Sequence, residues 1–277
     1  MKKTVIKLVF FLRYLFLNFF SRKKIVDASS NVVVTLTSHS GRVSRVFAAI
    51  ESIGGGLLRP NRIILFLSDE HKAESLPDTL KRLLDRGLEI VFCEDVGPHT
   101  KYYPYLFLCD HFSKPLVTAD DDKMYPNFWL KDLYEAWQNA DHIIHCFRAR
   151  KIDFEKDKLA TYDKWKLCND TAPSFRHFAT GVSGVIYPPK FLVQLKKAGD
   201  GFKKCCPKAD DIWLHVIALR NGYRIRQLDS TSRHFLGIPT SSRSALYHTN
   251  LGSKQNDVQA SLTYNNQDIN IIQRDSF

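Results

Sequence analysis

Four short, nearly continuous apolar runs rich in β-branched residues, separated by helix-like stretches, constrain this chain more than any other feature. Asn31–Thr37 (NVVVTLT), Arg62–Leu67 (RIILFL), Leu88–Cys93 (LEIVFC) and Pro115–Ala119 (PLVTA) suit strands buried on both faces. Between them, Val43–Ile53 stops at Gly54-Gly55-Gly56, Pro77–Arg86 stops at Gly87, and Tyr102–Phe112 stops before Pro115. Glycine and proline at those places end helices. Strands alternating with helices predict an α/β fold with a mostly parallel sheet flanked by helices.

Further along, Pro126–Asn139 reads as a helix, His142–Phe147 and Thr180–Tyr187 as strands, and Asp211–Arg220 as the last clear helix before Asn221-Gly222. The charged stretch Arg148–Asp170 reads as a long loop or lid. Asp229–Phe277, rich in Ser, Thr, Asn and Gln, reads as loop wrapped on the domain. A chain of 277 residues with 44% hydrophobic content fills one large core. The expected division is a segment with linker over 1–30, a main domain over 31–230 and a tail packed on it over 231–277. The six cysteines show no C-x-x-C pair and no zinc-like spacing with histidine, so reduced, buried thiols and a cytosolic setting are expected.

The formal charge is +11, and more than half of the excess lies in Lys2, Lys3, Lys7, Arg13, Arg22, Lys23 and Lys24, opposed only by Asp27. The rest is spread thinly, without the dense basic stripe of a nucleic-acid binder, so nucleic acid is not an expected partner. Val5–Phe20 is apolar apart from Lys7, Arg13 and Asn18, and falls short of the roughly twenty residues of a spanning helix. On a helical projection Lys3, Lys7, Tyr14, Asn18 and Arg22 share one side while Phe10, Leu12, Phe16 and Phe19 spread over the others. This describes an N-terminal membrane-associating helix lying in an interface, with Arg22-Lys23-Lys24 drawn to anionic headgroups. A short spanning anchor and a cleaved signal are the alternatives; the three cations before any cleavage site argue against processing.

In an open parallel sheet, ligands bind beyond the carboxyl ends of the strands. The residues there are polar: Thr37, Ser38, His39 and Arg42; Ser68, Asp69 and Glu70; Glu94, Asp95 and, further on, Lys101; then Asp120, Asp121 and Asp122. Three consecutive carboxylates at a buried strand end repel one another and call for a cation. Asp120 and Asp122, alternate residues, can share an oxygen-rich site suited to Mg²⁺ or Mn²⁺. The plainer alternative is a solvated acidic loop before the Pro126 helix.

The stretches VVVTLTSHSGR, IILFLSDEH, GLEIVFCED, GPHTKYYP, LVTADDDKMYP, FATGVSGVIYPP and CPKADDIWL occur in the order seen in bacterial glycosyltransferases related to the family 2 glycosyltransferases, and the chain resembles their lipopolysaccharide and capsule branch over most of residues 31–228. The resemblance implies a GT-A-like, Rossmann-type catalytic domain that moves a sugar from a nucleotide-sugar donor, a UDP-sugar, to a glycan or glycolipid acceptor with inversion. It implies Thr37 and Asp69 on the nucleotide base, Arg42 and Lys101 facing the donor, Asp120 and Asp122 as the D-x-D pair with Asp122 the direct metal ligand, and Asp121 toward the ribose or sugar. A further metal ligand from the C-terminal region would be His248, with His234 as its alternative. The second acidic pair, Asp210 and Asp211, matches the family's catalytic acids, with Asp211 as base. The implied location is the cytoplasmic face of an inner membrane.

Each of these residues has a simpler reading beside the functional one. Arg42 and Lys101 can be ordinary surface charge, His248 a structural histidine, and Asp210 and Asp211 caps of the helix they open. Trp165, Tyr162 and Trp213 can stack on sugar or fill the core, and the glycines of Thr180–Gly184 can admit a donor or mark a bulge. A metal-dependent nucleotidyl- or phosphotransferase is the second enzymatic class, though no G-x-x-x-x-G-K-[ST] loop is present. A non-catalytic membrane-bound glycan-binding protein is the third.

Overall fold

The computed structural model of the protein describes residues 2–39, 41–73, 76–239 and 255–275. Along the chain run α1 (Lys2–Phe20), β1 (Val33–Thr37), α2 (Phe47–Gly54), β2 (Arg62–Ser68), α3 (Asp78–Leu84), β3 (Leu88–Cys93), α4 (Tyr105–Leu108), β4 (Leu116–Thr118) and β5 (Lys123–Met124). Then come α5 (Trp129–Asn139), β6 (Ile144–Cys146), β7 (Ala149–Lys151), β8 (Phe154–Glu155), β9 (Lys158–Leu159), β10 (His177–Ala179) and β11 (Val185–Tyr187). The last elements are α6 (Pro189–Ala198), α7 (Phe202–Cys205), α8 (Asp210–Arg220), β12 (Ile225–Gln227), β13 (Leu236–Gly237), α9 (Gln255–Thr263) and α10 (Asn266–Arg274).

Seven strands form one sheet in the order β12-β6-β11-β4-β1-β2-β3. Every neighbouring pair is parallel except the two made by β11. This is the α/β fold the sequence predicts, a mostly parallel sheet flanked by helices. Alternation along the strands divides the apolar side chains between two cores. Val33, Ile64 and Phe66 join α4, α6, α8 and the last two helices on one face, and Val34, Leu36, Ile63, Leu65 and Leu67 join α1, α2, α3 and α5 on the other. Trp165 and Trp213 are buried in the first of these cores, so neither offers a sugar-stacking face.

Four stretches differ from the sequence reading, and one of them, Thr180–Tyr187, is strand only over β11, with Gly181–Ser183 in a 3₁₀ turn. The helix expected over Tyr102–Phe112 is α-helical only over α4, because Cys109 turns extended at φ −133° and ψ 139°. Arg148–Asp170 is not a single loop; it holds β7, the β8–β9 hairpin and a 3₁₀ turn at Tyr162–Lys164. Among its described residues the tail contains two helices rather than loop alone. Ala260, Tyr264 and Ile272 enter the core, and Asn265 and Asp268 form a reciprocal capping box, each side chain accepting from the other's backbone N–H at 2.9 Å. Asp268 also takes the Arg220 guanidinium at 3.0 and 2.8 Å, which ties α10 to α8.

Helix α1 is packed into the fold, and its orientation follows from its polar residues. Tyr14 and Asn18 are buried against the domain and Lys7 is half-buried there, so the polar side faces protein rather than water. Asn18 Nδ2 donates to Glu51 Oε1 at 3.2 Å and to the Thr79 carbonyl at 3.0 Å, and its Oδ1 accepts from Arg82 Nε at 3.0 Å. Arg86 closes the same network, donating to both oxygens of the buried Glu51 carboxylate at 2.5 and 3.0 Å. Val5, Leu8, Val9, Leu12, Phe16, Phe19 and Phe20 are left exposed. No helix among the described residues is long and apolar enough to cross a membrane.

Candidate active site

Strand β4 delivers the acidic run to the carboxyl edge of the sheet, where the Ala119 N–H still donates to the Thr35 carbonyl at 2.9 Å. Beyond that bond the chain turns. The Asp120 N–H donates to the buried Tyr125 hydroxyl at 2.7 Å, the Asp122 carbonyl accepts from Ile238 N–H at 2.8 Å, and β5 pairs with β13. The turn is therefore fixed on both sides by its own chain. It lines a cleft of about 870 Å³ that also takes in Thr37, Arg42, Lys101, Asp210 and Asp211.

Within the cleft each aspartate of the run has a different partner. Asp120 Oδ1 lies 3.1 Å from Lys101 Nζ. Asp121 accepts from Ser38 Oγ at 2.7 Å and from Arg42 NH1 at 2.9 Å. Asp122 Oδ1 takes Lys123 Nζ at 2.6 Å, and its Oδ2 is 3.9 Å from Arg42 NH1. Burial opposes the charge of Asp120, but Lys101, Lys123 and Arg42 outweigh it and hold its carboxyl below the usual range. For Asp121 burial wins over Arg42 and Ser38, and its carboxyl is raised. Among the described residues, none of the three joins a group of three His, Cys, Asp or Glu ligand atoms within 4.8 Å of one another. His248, the expected further ligand, lies outside the described residues.

The second acidic pair opens α8, and neither member caps it. The N-cap is Ala209, with no side-chain hydrogen bond. Asp210 Oδ2 lies 3.1 Å from Lys101 Nζ, near enough for an ion pair, yet it is a buried oxygen without a hydrogen bond. Asp211 Oδ1 instead accepts from the Gly181 N–H at 3.0 Å, across the cleft from its own helix. Burial, then repulsion from Asp210, push the Asp211 carboxyl up to about 8. Lys101 stands between the two acidic groups. Burial disfavours its charge, but Asp120, Asp210 and Asp211 together raise its pKa well above the ordinary lysine range, so it stays an ammonium.

Close backbone approach explains the glycines of Thr180–Gly184. A Cβ at Gly181 would sit 3.2 Å from Asp211 Oδ1 and 3.3 Å from Lys101 Nζ, where the carboxylate now meets the backbone N–H. Gly184 has φ +94°, and a Cβ there would stand 2.5 Å from the Trp129 indole nitrogen. Neither contact is a bulge: Gly181 admits the Asp211 carboxylate to the backbone in the cleft, and Gly184 makes room for the Trp129 ring.

Thr37 lines the cleft, its hydroxyl donating to the Phe66 carbonyl at 3.0 Å. Asp69 does not line it; more than half exposed, it pairs with Lys72 at 2.6 Å in the 3₁₀ turn Asp69–Ala73. Asp95 lines the cleft instead, accepting from the Gly97 N–H at 2.8 Å and from Thr100 Oγ1 at 3.2 Å. His234 reaches the lining as well.

Residues without a sequence signal complete the wall. Arg148 donates to Thr180 Oγ1 at 2.6 Å, and Arg150 lies 4.9 Å from the centre of the Tyr162 ring. Buried His99 fixes the turn that carries Lys101: one ring nitrogen meets the Tyr102 hydroxyl at 2.7 Å, the other the Cys206 carbonyl at 2.8 Å, and the ring stacks on Phe202 at 3.9 Å. A carbonyl only accepts, so Nε2 carries the hydrogen and Nδ1 accepts from the tyrosine. Burial keeps this imidazole neutral, with its pKa down to about 4.

No family model matches the sequence, and no curated protein matches it. Solved structures do, at low identity. The chain is similar to a CMP:2-keto-3-deoxy-manno-octonic acid synthetase complexed with CTP, at 8% identity and a TM-score of 0.44 over 71% of this chain and 88% of that one. It is similar to 4-diphosphocytidyl-2C-methyl-D-erythritol synthase from Anaerococcus prevotii, at 12% identity and a TM-score of 0.47 over 73% of this chain and 87% of that one. It is also similar to a mannosyltransferase from Pyrobaculum calidifontis in complex with GDP-Man and Mn²⁺, at 12% identity and a TM-score of 0.46 over 81% of this chain and 63% of that one.

Proposed function

We propose that this chain is a glycosyltransferase that moves a sugar from a nucleotide-sugar donor, a UDP-sugar, to a hydroxyl of a glycan or glycolipid acceptor with inversion. The observation that carries this reading is the arrangement of carboxylates in one cleft: Asp120–Asp122 at the end of β4 and Asp210–Asp211 at the start of α8, with the Lys101 ammonium between them. Asp211 is held away from its own helix by the Gly181 N–H, which fits a base aimed at an acceptor rather than a cap. In the ionised form it takes the acceptor's proton as the hydroxyl oxygen attacks the sugar. Thr37, Arg42 and Asp121 line the donor side, with Lys101 and Arg42 supplying positive charge near the donor's phosphates. Asp69 remains a candidate contact to the nucleotide base from the rim.

The residues also fit a divalent metal. An Asp210 oxygen without a hydrogen bond, though Lys101 is 3.1 Å away, and an Asp211 carboxyl raised to about 8 both indicate that the Asp210–Asp211 side of the cleft is short of positive charge. Asp120 and Asp122 would hold Mn²⁺ or Mg²⁺ through carboxylate oxygens, and His248 is the proposed further ligand. Such an ion supplies charge to the departing diphosphate. Calorimetry tests this pairing: UDP is expected to bind in the presence of Mn²⁺, and Asp122→Asn to lose the metal-dependent part of that affinity. UDP binding that is the same with Mn²⁺ and with chelator would remove the metal from the account.

A membrane surface is the proposed place of work, the cytoplasmic face of an inner membrane carrying anionic lipid. Support comes from the exposed apolar side of α1, with Arg13, Arg22, Lys23 and Lys24 exposed on and just after the helix. Lys7 on the same helix approaches Gly237, whose strand flanks Asp122, so α1 runs beside the cleft. A glycolipid acceptor would reach the cleft from that side.

A further inference from the structure

We propose that Cys168, Asp170 and His177 form a second metal site, separate from the cleft, that takes a borderline-soft divalent cation of the zinc class. The three ligand atoms lie within 4.8 Å of one another. Cys168 Sγ is 3.3 Å from His177 Nε2, and Nε2 is 3.3 Å from Asp170 Oδ1. Zinc–ligand bonds of about 2.0–2.3 Å set at tetrahedral angles put neighbouring ligand atoms about 3.3–3.8 Å apart, so both contacts are close to edges of such a site.

Proton counting supplies the second argument. His177 is fully buried, and its Nδ1 lies 3.2 Å from the Ile225 carbonyl, which only accepts. Nδ1 therefore carries the hydrogen, and a neutral ring turns the Nε2 lone pair toward Asp170 Oδ1, another acceptor, and Cys168 Sγ. The thiol brings one proton, for which the Asp170 carbonyl at 3.4 Å competes. Carboxylate and imidazole thus face each other with no hydrogen of their own between them. Asp170 Oδ1 accepts from the Ala172 N–H at 3.2 Å, which leaves the Nε2 lone pair without a donor other than the contested thiol. A cation bound by thiolate, imidazole and carboxylate fills the gap, releasing the thiol proton to solvent.

The surroundings match how metal-binding histidines are held. A backbone carbonyl fixes the ring through its other nitrogen, and Lys151 Nζ engages the second Asp170 oxygen at 2.5 Å. Cys168 is tied down through its own carbonyl, which accepts from Gln227 Nε2 at 3.1 Å. Asp170 is partly exposed, which leaves a path for the ion and for a water as fourth ligand. Phe178 and Arg150 line the cleft, whereas His177 and Lys151, their neighbours on β10 and β7, point to the opposite face of that strand pair. A metal there would clip the segment between β7 and β10 behind the wall that carries Arg150.

The test is a titration of the reduced, full-length protein with Co²⁺ and with Zn²⁺ in saturating Mg²⁺. Expected is one equivalent of Co²⁺ with a thiolate-to-cobalt charge-transfer band, displaced by Zn²⁺, with Asp122→Asn keeping the band. Cys168→Ala should lose the band and Asp170→Asn should weaken binding by at least about tenfold, each variant being checked for native far-UV circular dichroism. A wild-type protein without the band overturns the proposal, as does a band that survives in Cys168→Ala. Should Cys168→Ala fail to fold, Asp170→Asn decides, and wild-type affinity in that variant also overturns it.

Discussion

At the scale of single residues, the account rests on Asp211. Its carboxyl ionises at about 8 in the folded chain and near about 4 in an unfolded one. Between those values the folded state holds a proton that the unfolded state has released, so stability falls as pH rises through that window and then levels off. Asp211→Asn removes this term, and each retained pK unit is worth about 1.4 kcal/mol. In chelator the variant is expected to melt above wild type at about pH 9, with the gap closing toward about pH 4. Its turnover should fall by at least about a hundredfold, the contribution of a general base. Coincident melting curves across that range would mean that Asp211 ionises as an ordinary carboxylate. Asp120–Asp122 and Asp210–Asp211 are legible in the sequence because runs of acid at element ends are conspicuous. His99 gains its role from Cys206, 107 residues away, a contact that no local pattern announces, whereas Asp95 stands at a strand end and holds Gly97 and Thr100 locally.

At the scale of elements, α1 and the Gly181–Ser183 turn carry the sharpest expectations. Because Tyr14 and Asn18 are buried and Asn18 shares the Glu51–Arg86 network, removing the helix would expose that network and damage the fold. Its outer face can be tested without that cost. Val9 and Phe16 are 58% and 60% exposed, so Val9→Glu with Phe16→Glu should change stability by no more than about 1 kcal/mol. Cosedimentation with anionic vesicles should drop at least about tenfold, and unchanged cosedimentation would exclude α1 as the docking face. Gly184→Ala tests the turn: positive φ and the Trp129 indole leave no room for a methyl group. A loss of about 1–3 kcal/mol in denaturant unfolding is expected, and wild-type stability would contradict the packing described. Periodicity located α1, whereas the direction of its polar side depended on buried partners from α2 and α3. The tail helices escaped because Ala260, Tyr264 and Ile272 are scattered among polar residues, although Asn265 and Asp268 carry the spacing of a capping box.

At the scale of the whole molecule, the sheet was legible because apolar and β-branched residues dominate β1, β2, β3 and β4, although β3, at the edge, is fully buried only at Leu88. The antiparallel placement of β11 was not legible, since strand direction leaves no mark on a three-residue run. The cleft lies where the parallel strands end, and the first acidic group comes from β4 near the middle of the sheet and the second from α8 packed on one face. Two acidic groups brought together from distant parts of the chain are the central claim: one side serves the donor and metal, the other the acceptor. The most direct measurement is release of free nucleotide from a panel of sugar nucleotides in Mn²⁺, compared among wild type, Asp122→Asn and Asp211→Asn, with donor binding followed in parallel. The account predicts release by wild type that stops in chelator, loss of both release and metal-dependent donor binding in Asp122→Asn, and loss of release with donor binding retained in Asp211→Asn. Release of a sugar phosphate, which marks cleavage within the diphosphate rather than at the glycosidic bond, or turnover unaffected by either substitution, would contradict it.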